Sequence, residues 1–436
     1  MTLADIGIAD GKIVAIGDVR EDAEETIDAH GLHVLPGLID TQVHFREPGL
    51  THKEDIESGT RAAICGGVTT IFEMPNTSPP TTTKEALEDK LSRASGRAWC
   101  DYGFFVGAST DNVDQLGSLE NLPGTPGVKV FVGSSTGSLL VPDDAHIEAV
   151  FRATKRRTPI HSEDHFRLEA RKGLISDHPT AQEHHFLRDA ECARLSTERV
   201  LRLAERTGHP VHILHLSTAE EIPLIAEFRE GKSADGSAHS KRVTVEITPQ
   251  HLWFAAPEAY DRLGTLIQMN PPVRTAEHRD ALREALRSGF FDVIGSDHAP
   301  HTLEEKAQPY PQSPSGMPGV QTLLAAMLTL AQRDHLLDLP TLVRMASENP
   351  ALLYGIEGKG QIHLGYDADL VLVDLEEQWT FERSMVQSKC GWSPFEGETF
   401  WGLPRWTVLR GQVAMRDGVP VGTPVGKVAR FTSSDG

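Results

Sequence analysis

Eight short apolar segments, each followed by a stretch of helical character, occupy the middle of this 436-residue chain. They predict strands at Leu38–His44, Val68–Met74, Asp101–Gly107, Val128–Val132, Pro159–Ser162, Val211–Ser217, Val243–Thr248 and Asp292–Asp297. Regular alternation of strand and helix is typical of a parallel sheet, and eight repeats predict an α/β fold with a closed (β/α)₈ TIM-like barrel. We place this barrel at residues 36–357.

Local signals predict where some helices and loops lie. A helix is expected over His52–Cys65, because Gly66 and Gly67 provide a C-terminal stop. Thr82 and Glu85 have the spacing of a capping box, which predicts a helix from there through Leu91. Residues 231–240 predict a mobile surface loop, and residues 304–319, rich in Pro and Ser, predict a long loop near the site.

The two ends of the chain lack this alternation. Asp5–Gly17 and Gly360–Asp374 each alternate apolar and polar residues around Gly-containing turns, a pattern typical of hairpin strands.

Composition restricts the class of protein. A net charge of −20 argues against a nucleic-acid partner, which requires a basic face. The sequence shows neither a long apolar run nor a signal peptide, and it predicts no contact with a membrane. The four scattered cysteines predict reduced thiols in a cytoplasmic protein.

Residues capable of metal binding or proton transfer occur where the predicted strands end. His44, His161, His215 and Asp297 close four strands, and Lys129 lies inside a fifth among Val and Phe residues. Barrel active sites lie at the carboxyl ends of the strands, so these side chains should converge. A lone strand histidine is more often structural, which is our interpretation of His212.

Three motifs carry a resemblance to a known family. Gln42, His44 and Arg46 alternate along the first strand and should share one face, within Asp-Thr-Gln-Val-His-Phe-Arg-Glu-Pro-Gly (40–49). This motif resembles the first-strand signature of dihydroorotases in the amidohydrolase superfamily, with Gln42 in place of the first metal-binding His. Met-Pro-Asn-Thr (74–77) and Asp-His-Ala-Pro-His (297–301) are similar to further motifs of that family.

The resemblance implies roles for the residues at the strand ends. The implied metal ligands are His44, Lys129, His161, His215 and Asp297, binding one or two Zn²⁺ ions, with a carbamylated Lys129 bridging a pair. A hydroxide activated by metal would attack the cyclic amide, with Asp297 as general base and acid. The family also implies a small β-sandwich built from residues 1–35 and 358–436.

Substrate recognition is expected from a second group of side chains. The resemblance assigns it to Arg46, Asn76, Asn270 and His301, and Arg presents a planar fork that suits a carboxylate. The alternatives are a surface ion pair between Arg46 and Glu47, and a turn role for Asn76.

Three glutamines depart from the family pattern: Gln42, Gln250 and Gln321. Gln42 is the most serious departure, because an amide oxygen is a weaker zinc ligand than imidazole. It predicts a site biased toward one metal.

Two hypotheses follow. The first is a dihydroorotase that interconverts dihydroorotate and N-carbamoyl-L-aspartate in pyrimidine biosynthesis. The alternative is a non-catalytic dihydroorotase-like subunit that partners aspartate transcarbamoylase. An allantoinase or hydantoinase is disfavoured by the predicted carboxylate receptor, and a homo-oligomer is possible under any of these hypotheses.

Overall fold

The computed structural model describes residues 2–133, 139–231, 239 and 242–432. Apart from Gly231 and His239, the loop predicted at 231–240 lies outside the described residues. The chain begins with strands β1 (Asp5–Ala9), β2 (Lys12–Gly17) and β3 (His33–Pro36).

The central unit is a closed parallel barrel, as predicted. Its strands are β4 (Leu38–Val43), β5 (Val68–Glu73), β6 (Asp101–Phe104) with its continuation β7 (Val106–Gly107), β8 (Val128–Phe131), β9 (Thr158–His161), β10 (Val211–Ile213), β11 (Val243–Ile247) and β12 (Val293–Ile294). Neighbouring strands pair in parallel along both sheets that make up the barrel. A parallel bridge between Val43 and His298 joins the last strand to the first.

Several strands are shorter at their carboxyl ends than predicted. His44, His215 and Asp297 were expected to end strands, but the strands end earlier, at Val43, Ile213 and Ile294. His215 and Asp297 adopt positive φ angles of 36° and 43°, which extended strands do not have. The backbone therefore leaves the sheet just before these side chains.

The helices surround the barrel. They are α1 (Ile56–Cys65), α2 (Lys84–Ala94), α3 (Leu116–Leu119), α4 (Asp144–Ala153), α5 (His165–Arg171), α6 (Glu183–Leu187), α7 (Ala190–Thr207), α8 (Glu221–Glu230), α9 (Pro249–Trp253), α10 (Glu258–Leu263), α11 (Ala276–Arg287), α12 (Leu303–Lys306), α13 (Leu323–Gln332), α14 (Leu339–Val343) and α15 (Asn349–Tyr354). No helix among the described residues has the length and apolar character needed to cross a membrane.

Two predicted helix starts were wrong. Helix α1 begins at Ile56 rather than His52, because the Asp55 side chain accepts a hydrogen bond from the Ser58 amide and caps the helix there. Helix α2 is capped by Thr83 rather than Thr82, since the Thr83 hydroxyl accepts from the Ala86 amide at 3.2 Å.

The chain termini build a second unit of antiparallel strands. Strands β13 (Leu370–Thr380), β14 (Thr399–Leu409), β15 (Gln412–Arg416) and β16 (Val419–Pro420) form one sheet with β3, in the order β16-β15-β14-β13-β3. The β1–β2 hairpin packs on this sheet through Ile13, which is buried with Leu370, Leu372 and Val408. This arrangement is the β-sandwich expected from both ends of the chain.

The hairpin predicted at Gly360–Asp374 was only partly correct. Strand β13 begins at Leu370 and continues to Thr380. The preceding residues turn at Gly365, whose φ is +83°. They do not form a strand, but they bond to the β1–β2 hairpin: Lys12 and Asp367 form an antiparallel bridge, and Ile13 donates its amide to the Tyr366 carbonyl at 3.0 Å. The predicted domain limits stay a prediction; near the end of the chain, Ala429 donates a backbone hydrogen bond to the barrel residue Tyr102 at 2.8 Å.

A buried ion cluster joins the barrel to the sandwich. The Lys359 ammonium lies 2.7 Å from Asp101 of β6 and 3.2 Å from Asp367, and it also binds Asp369. Burial opposes the charged form, but the three carboxylates outweigh it and raise the pKa of Lys359 above its usual range. The three acids are close enough to hold a cation. Because Lys359 already lies among them, we interpret the cluster as a structural ion pair network rather than a metal site.

Candidate active site

A cavity opens at the carboxyl ends of the barrel strands, with about 360 Å³ of empty space when the solvent at its mouth is included. Its walls contain Gln42, His44, Arg46, Asn76, Lys129, Phe131, His161, His215, Asn270, Asp297, Ala299, Ser315 and Gly316. Every predicted site residue lines this cavity except His301. The eight strands therefore bring side chains from distant parts of the sequence into one place.

Two imidazoles face each other on one side of the cavity. Nδ1 of His161 lies 3.1 Å from Nε2 of His215. The other nitrogen of His161 donates to Glu163 at 3.0 Å, which leaves Nδ1 with a free lone pair. Burial lowers the pKa of both histidines, so both are neutral, as metal ligands must be.

Glu163 orients His161 in turn. Burial alone would raise the pKa of Glu163, but its ion pair with Arg188 and its contact with His161 hold that pKa well below the usual range. A permanently ionised carboxylate behind a histidine is the arrangement that fixes the tautomer of metal-binding imidazoles.

Lys129 projects from β8 into the cavity. Its side chain is 1% exposed, and its ammonium nitrogen has no hydrogen-bond partner among the described residues. The nearest aromatic ring, that of Phe131, has its centroid 4.5 Å away. Desolvation lowers the pKa of Lys129 far below that of an exposed lysine, which favours the neutral, nucleophilic amine over the ammonium.

Asp297 lies between Gln42 and His44 on the other side of the cavity. Its Oδ1 accepts from Nε2 of Gln42 at 2.9 Å and lies 3.3 Å from Nε2 of His44. Nδ1 of His44 is 2.7 Å from the amide oxygen of Asn76. Asn76 thus positions His44 in addition to lining the cavity, which is more than the turn role considered as an alternative.

This donor set fits a divalent transition metal. Among the described residues that line the cavity, three have a buried side-chain atom without a hydrogen-bond partner: Lys129 (Nζ), His215 (Nδ1) and Gln42 (Oε1). The separation of the facing imidazole nitrogens is close to the roughly 3.3 Å expected for two ligands on a tetrahedral ion. All four cysteines are buried and none lines the cavity, so thiolate ligands are excluded.

Arg46 supplies the positive charge of the cavity. It is 2% exposed, its Nε donates to the Pro300 carbonyl at 3.1 Å, and a terminal nitrogen lies 3.3 Å from Nε2 of His301. The surface ion pair with Glu47 considered as an alternative is wrong, because Glu47 instead binds Arg97 at 2.8 Å.

His301 lies behind Arg46 rather than on the cavity wall. It is fully buried and contacts Nζ of Lys53 at 3.1 Å and the Ser315 carbonyl at 3.0 Å. Direct contact between His301 and a substrate stays a prediction. Asn270 does line the cavity, and its amide oxygen lies 3.0 Å from Nε2 of His184.

The long loop predicted over 304–319 begins with the short helix α12 and then forms part of the cavity wall. Lys306, fully buried, donates to the carbonyls of Gln268, Pro314 and Gly316 at 3.2, 2.9 and 3.0 Å. These contacts fix the segment that carries Ser315 and Gly316.

Two of the three glutamine departures lie outside the cavity. Gln250 donates to the Ser296 carbonyl at 2.8 Å, and Gln321 donates to the Met385 carbonyl at 2.8 Å. Gln42 is therefore the one departure that changes the cavity wall described here.

Sequence reasoning missed four supporting residues: Glu163, Arg188, Lys53 and Lys306. Glu163 could have been found, since it follows His161 by two residues at a strand end. The others come from loops and helices whose approach to the site depends on the tertiary fold.

Three of the seven non-glycine residues with positive φ among those described lie in this site. Arg46, His215 and Asp297 have φ angles of 67°, 36° and 43°, in the left-handed region. Residues other than Gly seldom adopt it, although Asp and His do so more often than Arg. Such strain persists only where the surrounding structure enforces it, and it occurs preferentially at functional sites.

The chain is similar to known proteins over nearly its whole length. The model of the amidohydrolase family matches residues 33–399. A dihydroorotase of Methanosarcina mazei is 37% identical, covering 94% of this chain and 90% of the relative. An allantoinase of Deinococcus radiodurans is 32% identical, covering 98% of this chain and 95% of the relative.

Solved structures show the same architecture. The L-hydantoinase (dihydropyrimidinase) of Arthrobacter aurescens superposes with a TM-score of 0.92 at 28% identity, over 98% of this chain and 96% of that one. A D-hydantoinase from Bacillus sp. AR9 gives a TM-score of 0.88 at 27% identity, over 98% of this chain and 96% of that one. With its barrel, its metal-competent cavity and these relatives, the chain belongs to the amidohydrolase family.

Proposed function

We propose that this chain is a dihydroorotase, which interconverts dihydroorotate and N-carbamoyl-L-aspartate in pyrimidine biosynthesis. The observation that carries the proposal is Arg46, a buried guanidinium that lines the cavity beside the metal-competent histidines. No carboxylate among the described residues lies within ion-pair distance of it, so its nearest charged partner would be a ligand. Dihydroorotate and carbamoyl aspartate carry carboxylates that suit this fork, whereas allantoin and hydantoin do not.

We propose Zn²⁺ as the metal. His161, His215 and a carbamylated Lys129 would hold one ion, and His44, Asp297 and Lys129 would hold a second more weakly, with Gln42 beside it. Imidazole and oxygen ligands without thiolates suit zinc. Bound there, the metal supplies Lewis-acid polarisation of the ring carbonyl and lowers the pKa of water.

In this proposal Asp297 moves the proton. Its carboxylate takes a proton from the attacking water, and the ring amide C–N bond then breaks. Asp297 returns the proton to the leaving nitrogen. Gln42 and His44 hold the carboxylate in place, while Arg46 and Asn76 orient the substrate by its own carboxylate.

One purified sample tests the proposal. Elemental analysis should find at least one zinc per chain, and the protein should hydrolyse dihydroorotate. Asp297→Asn should abolish the reaction with little change in the circular dichroism spectrum, because an amide cannot accept the proton. A zinc-loaded parent without dihydroorotate turnover would contradict the proposal and favour the non-catalytic subunit of an aspartate transcarbamoylase assembly.

The remaining expectations are proposals of the same kind. A cytoplasmic location, a homo-oligomer and a transcarbamoylase partner stay predictions from the sequence. A hydantoinase or allantoinase would act on a ring without a carboxylate, and that neutral ring would have to supply the hydrogen-bond acceptors for Arg46.

A further inference from the structure

A chain of polar contacts links the protein surface to the guanidinium of Arg46. At the outer end, the partly exposed Glu305 lies 3.1 Å from Nζ of Lys53. Nζ of Lys53 lies 3.1 Å from Nδ1 of His301, and Nε2 of His301 lies 3.0 Å from the Ser315 carbonyl. Lys53 is itself buried, with 8% of its surface exposed.

These contacts determine which nitrogen of His301 carries the proton. An ammonium can only donate, so Nδ1 of His301 must be the acceptor opposite Lys53. A backbone carbonyl can only accept, so Nε2 must carry the hydrogen that it donates to Ser315. Both conditions are met by one neutral tautomer. Burial and the neighbouring cations Arg46, Lys53 and Lys306 lower the pKa of His301 far below its usual value, which keeps the ring neutral.

This tautomer has a consequence for Arg46. The terminal nitrogen of Arg46 lies 3.3 Å from Nε2 of His301. With a hydrogen on Nε2, both atoms are donors, so no hydrogen bond forms between them. The guanidinium therefore keeps a terminal N–H available for a ligand in the cavity.

We propose that Lys53 is a positioning residue for substrate binding, acting by locking His301 in the Nε2–H tautomer. In this tautomer His301 donates a hydrogen bond to the Ser315 carbonyl and so fixes that segment of the cavity wall. The guanidinium of Arg46 then stays directed at the substrate carboxylate. This inference rests on the proposed function, because it assumes a carboxylate-bearing substrate.

Without Lys53 the alternative tautomer becomes accessible. Oε2 of Glu305 lies 3.5 Å from Nδ1 of His301 and can accept its hydrogen. Nε2 would then accept from Arg46, and the Ser315 carbonyl would lose its donor. Both changes weaken substrate binding, whereas Asp297, His161 and His215 stay unaltered.

Kinetics of matched variants test the mechanism. Lys53→Met removes the donor, and we expect KM for dihydroorotate to rise about tenfold or more, with kcat within about threefold of the parent. Lys53→Gln keeps an N–H donor without the charge, and its KM should stay within about threefold of the parent. His52→Gln is the control, because exposed His52 contacts Glu305 at 3.1 Å but not His301.

The outcomes separate the possible explanations. Parental KM in Lys53→Met would overturn the proposal. If Lys53→Gln matches Lys53→Met, the charge matters rather than the tautomer, and the lock is wrong. A fall in kcat equal to the rise in KM would also overturn the proposal, because a residue that positions Arg46 for binding should change KM with little change in kcat.

A measurement on the parent protein makes the test independent of variant folding. Nitrogen-15 NMR of labelled histidine, with the His301 signals identified by their loss in His301→Gln, should show Nε2 protonated and Nδ1 not. A proton on Nδ1 would overturn the inference. If the parent fails to hydrolyse dihydroorotate, the proposed function fails, while the NMR result still decides the tautomer.

Discussion

At the scale of single residues, the cavity divides into a metal-competent side and a cationic side. His161 and His215 offer neutral imidazole nitrogens, and Lys129 offers a buried amine whose pKa is lowered by desolvation, whereas Arg46 offers a buried positive charge. A ligand that is both an amide and an anion can satisfy both sides at once. Cyclic amides with a carboxylate have this combination.

Arg46→Met should therefore impair binding of the anion. We expect KM for dihydroorotate to rise. The transition-state stabilisation calculated from kcat/KM should fall by about 2–5 kcal/mol, with metal content unchanged. Arg97→Met is the matched control, because Arg97 pairs with Glu47 and does not line the cavity. Parental kcat/KM in Arg46→Met would remove Arg46 from the carboxylate receptor.

Gln42→His tests the weakened metal position. An imidazole there should raise zinc content toward two ions per chain and increase activity at limiting metal, because it replaces a weak amide ligand. Gln250→His is the control, since Gln250 bonds to the Ser296 carbonyl and does not line the cavity. Two zinc ions already present in the parent would contradict the prediction of a weakened site.

Much of the site was predictable at this scale because its residues occur in short motifs at strand ends. His44, Lys129, His161, His215 and Asp297 all line the cavity as expected. The residues that orient them were not predictable. Arg188 reaches Glu163 across 25 positions of sequence, a contact that only the folded barrel creates.

At the scale of elements, Lys306 anchors the loop after α12, which forms part of the cavity wall. Burial lowers the pKa of Lys306 to about 7, yet its three carbonyl contacts provide the partners that a buried ammonium needs. The sequence predicted a loop here but not its anchor, because nothing in the sequence distinguishes Lys306 from an exposed lysine of a helix.

Lys306→Met should loosen this wall. The Pro314 and Gly316 carbonyls would lose the Lys306 donor, at about 1–3 kcal/mol for each unsatisfied group, whereas the Gln268 carbonyl would keep the Gly316 amide as its donor. We expect a lower melting temperature, new proteolytic cleavage within residues 307–319 and a raised KM, with metal content retained. Lys84→Met, which removes an exposed pair with Glu88, should change none of these. Resistance to protease equal to the parent would contradict the anchoring role.

At the scale of the whole molecule, Lys359 joins the barrel to the β-sandwich. The sequence pattern predicted the barrel and the family resemblance implied the β-sandwich, but neither indicated that four charged residues would meet at their junction. Ion pairs between residues far apart in the sequence follow no local pattern, so they become visible only in the folded structure.

Lys359→Met should destabilise the junction without touching the cavity. Three buried carboxylates would lose their shared cation, and breaking a buried pair costs about 3–5 kcal/mol. Thermal unfolding at neutral pH should show the loss, while Lys12→Met, which removes a partly exposed partner of Asp367, should cost much less.

The pH dependence of this contribution follows from the raised pKa of Lys359. The stabilisation is fully present below the ordinary lysine pKa of about 10.4 and is lost as pH rises through the higher folded value. An equal stability of Lys359→Met and parent at pH 7 would contradict the role of the cluster.

The left-handed backbone at Arg46, His215 and Asp297 sets a limit on how this protein can be made more robust. Glycine would relax each of these positions, but it would also delete the side chain that the position exists to present. Stability and activity are thus opposed at the same three residues. Engineering for heat resistance would have to act on the sandwich, the helices or the surface, and leave the barrel mouth in its strained form.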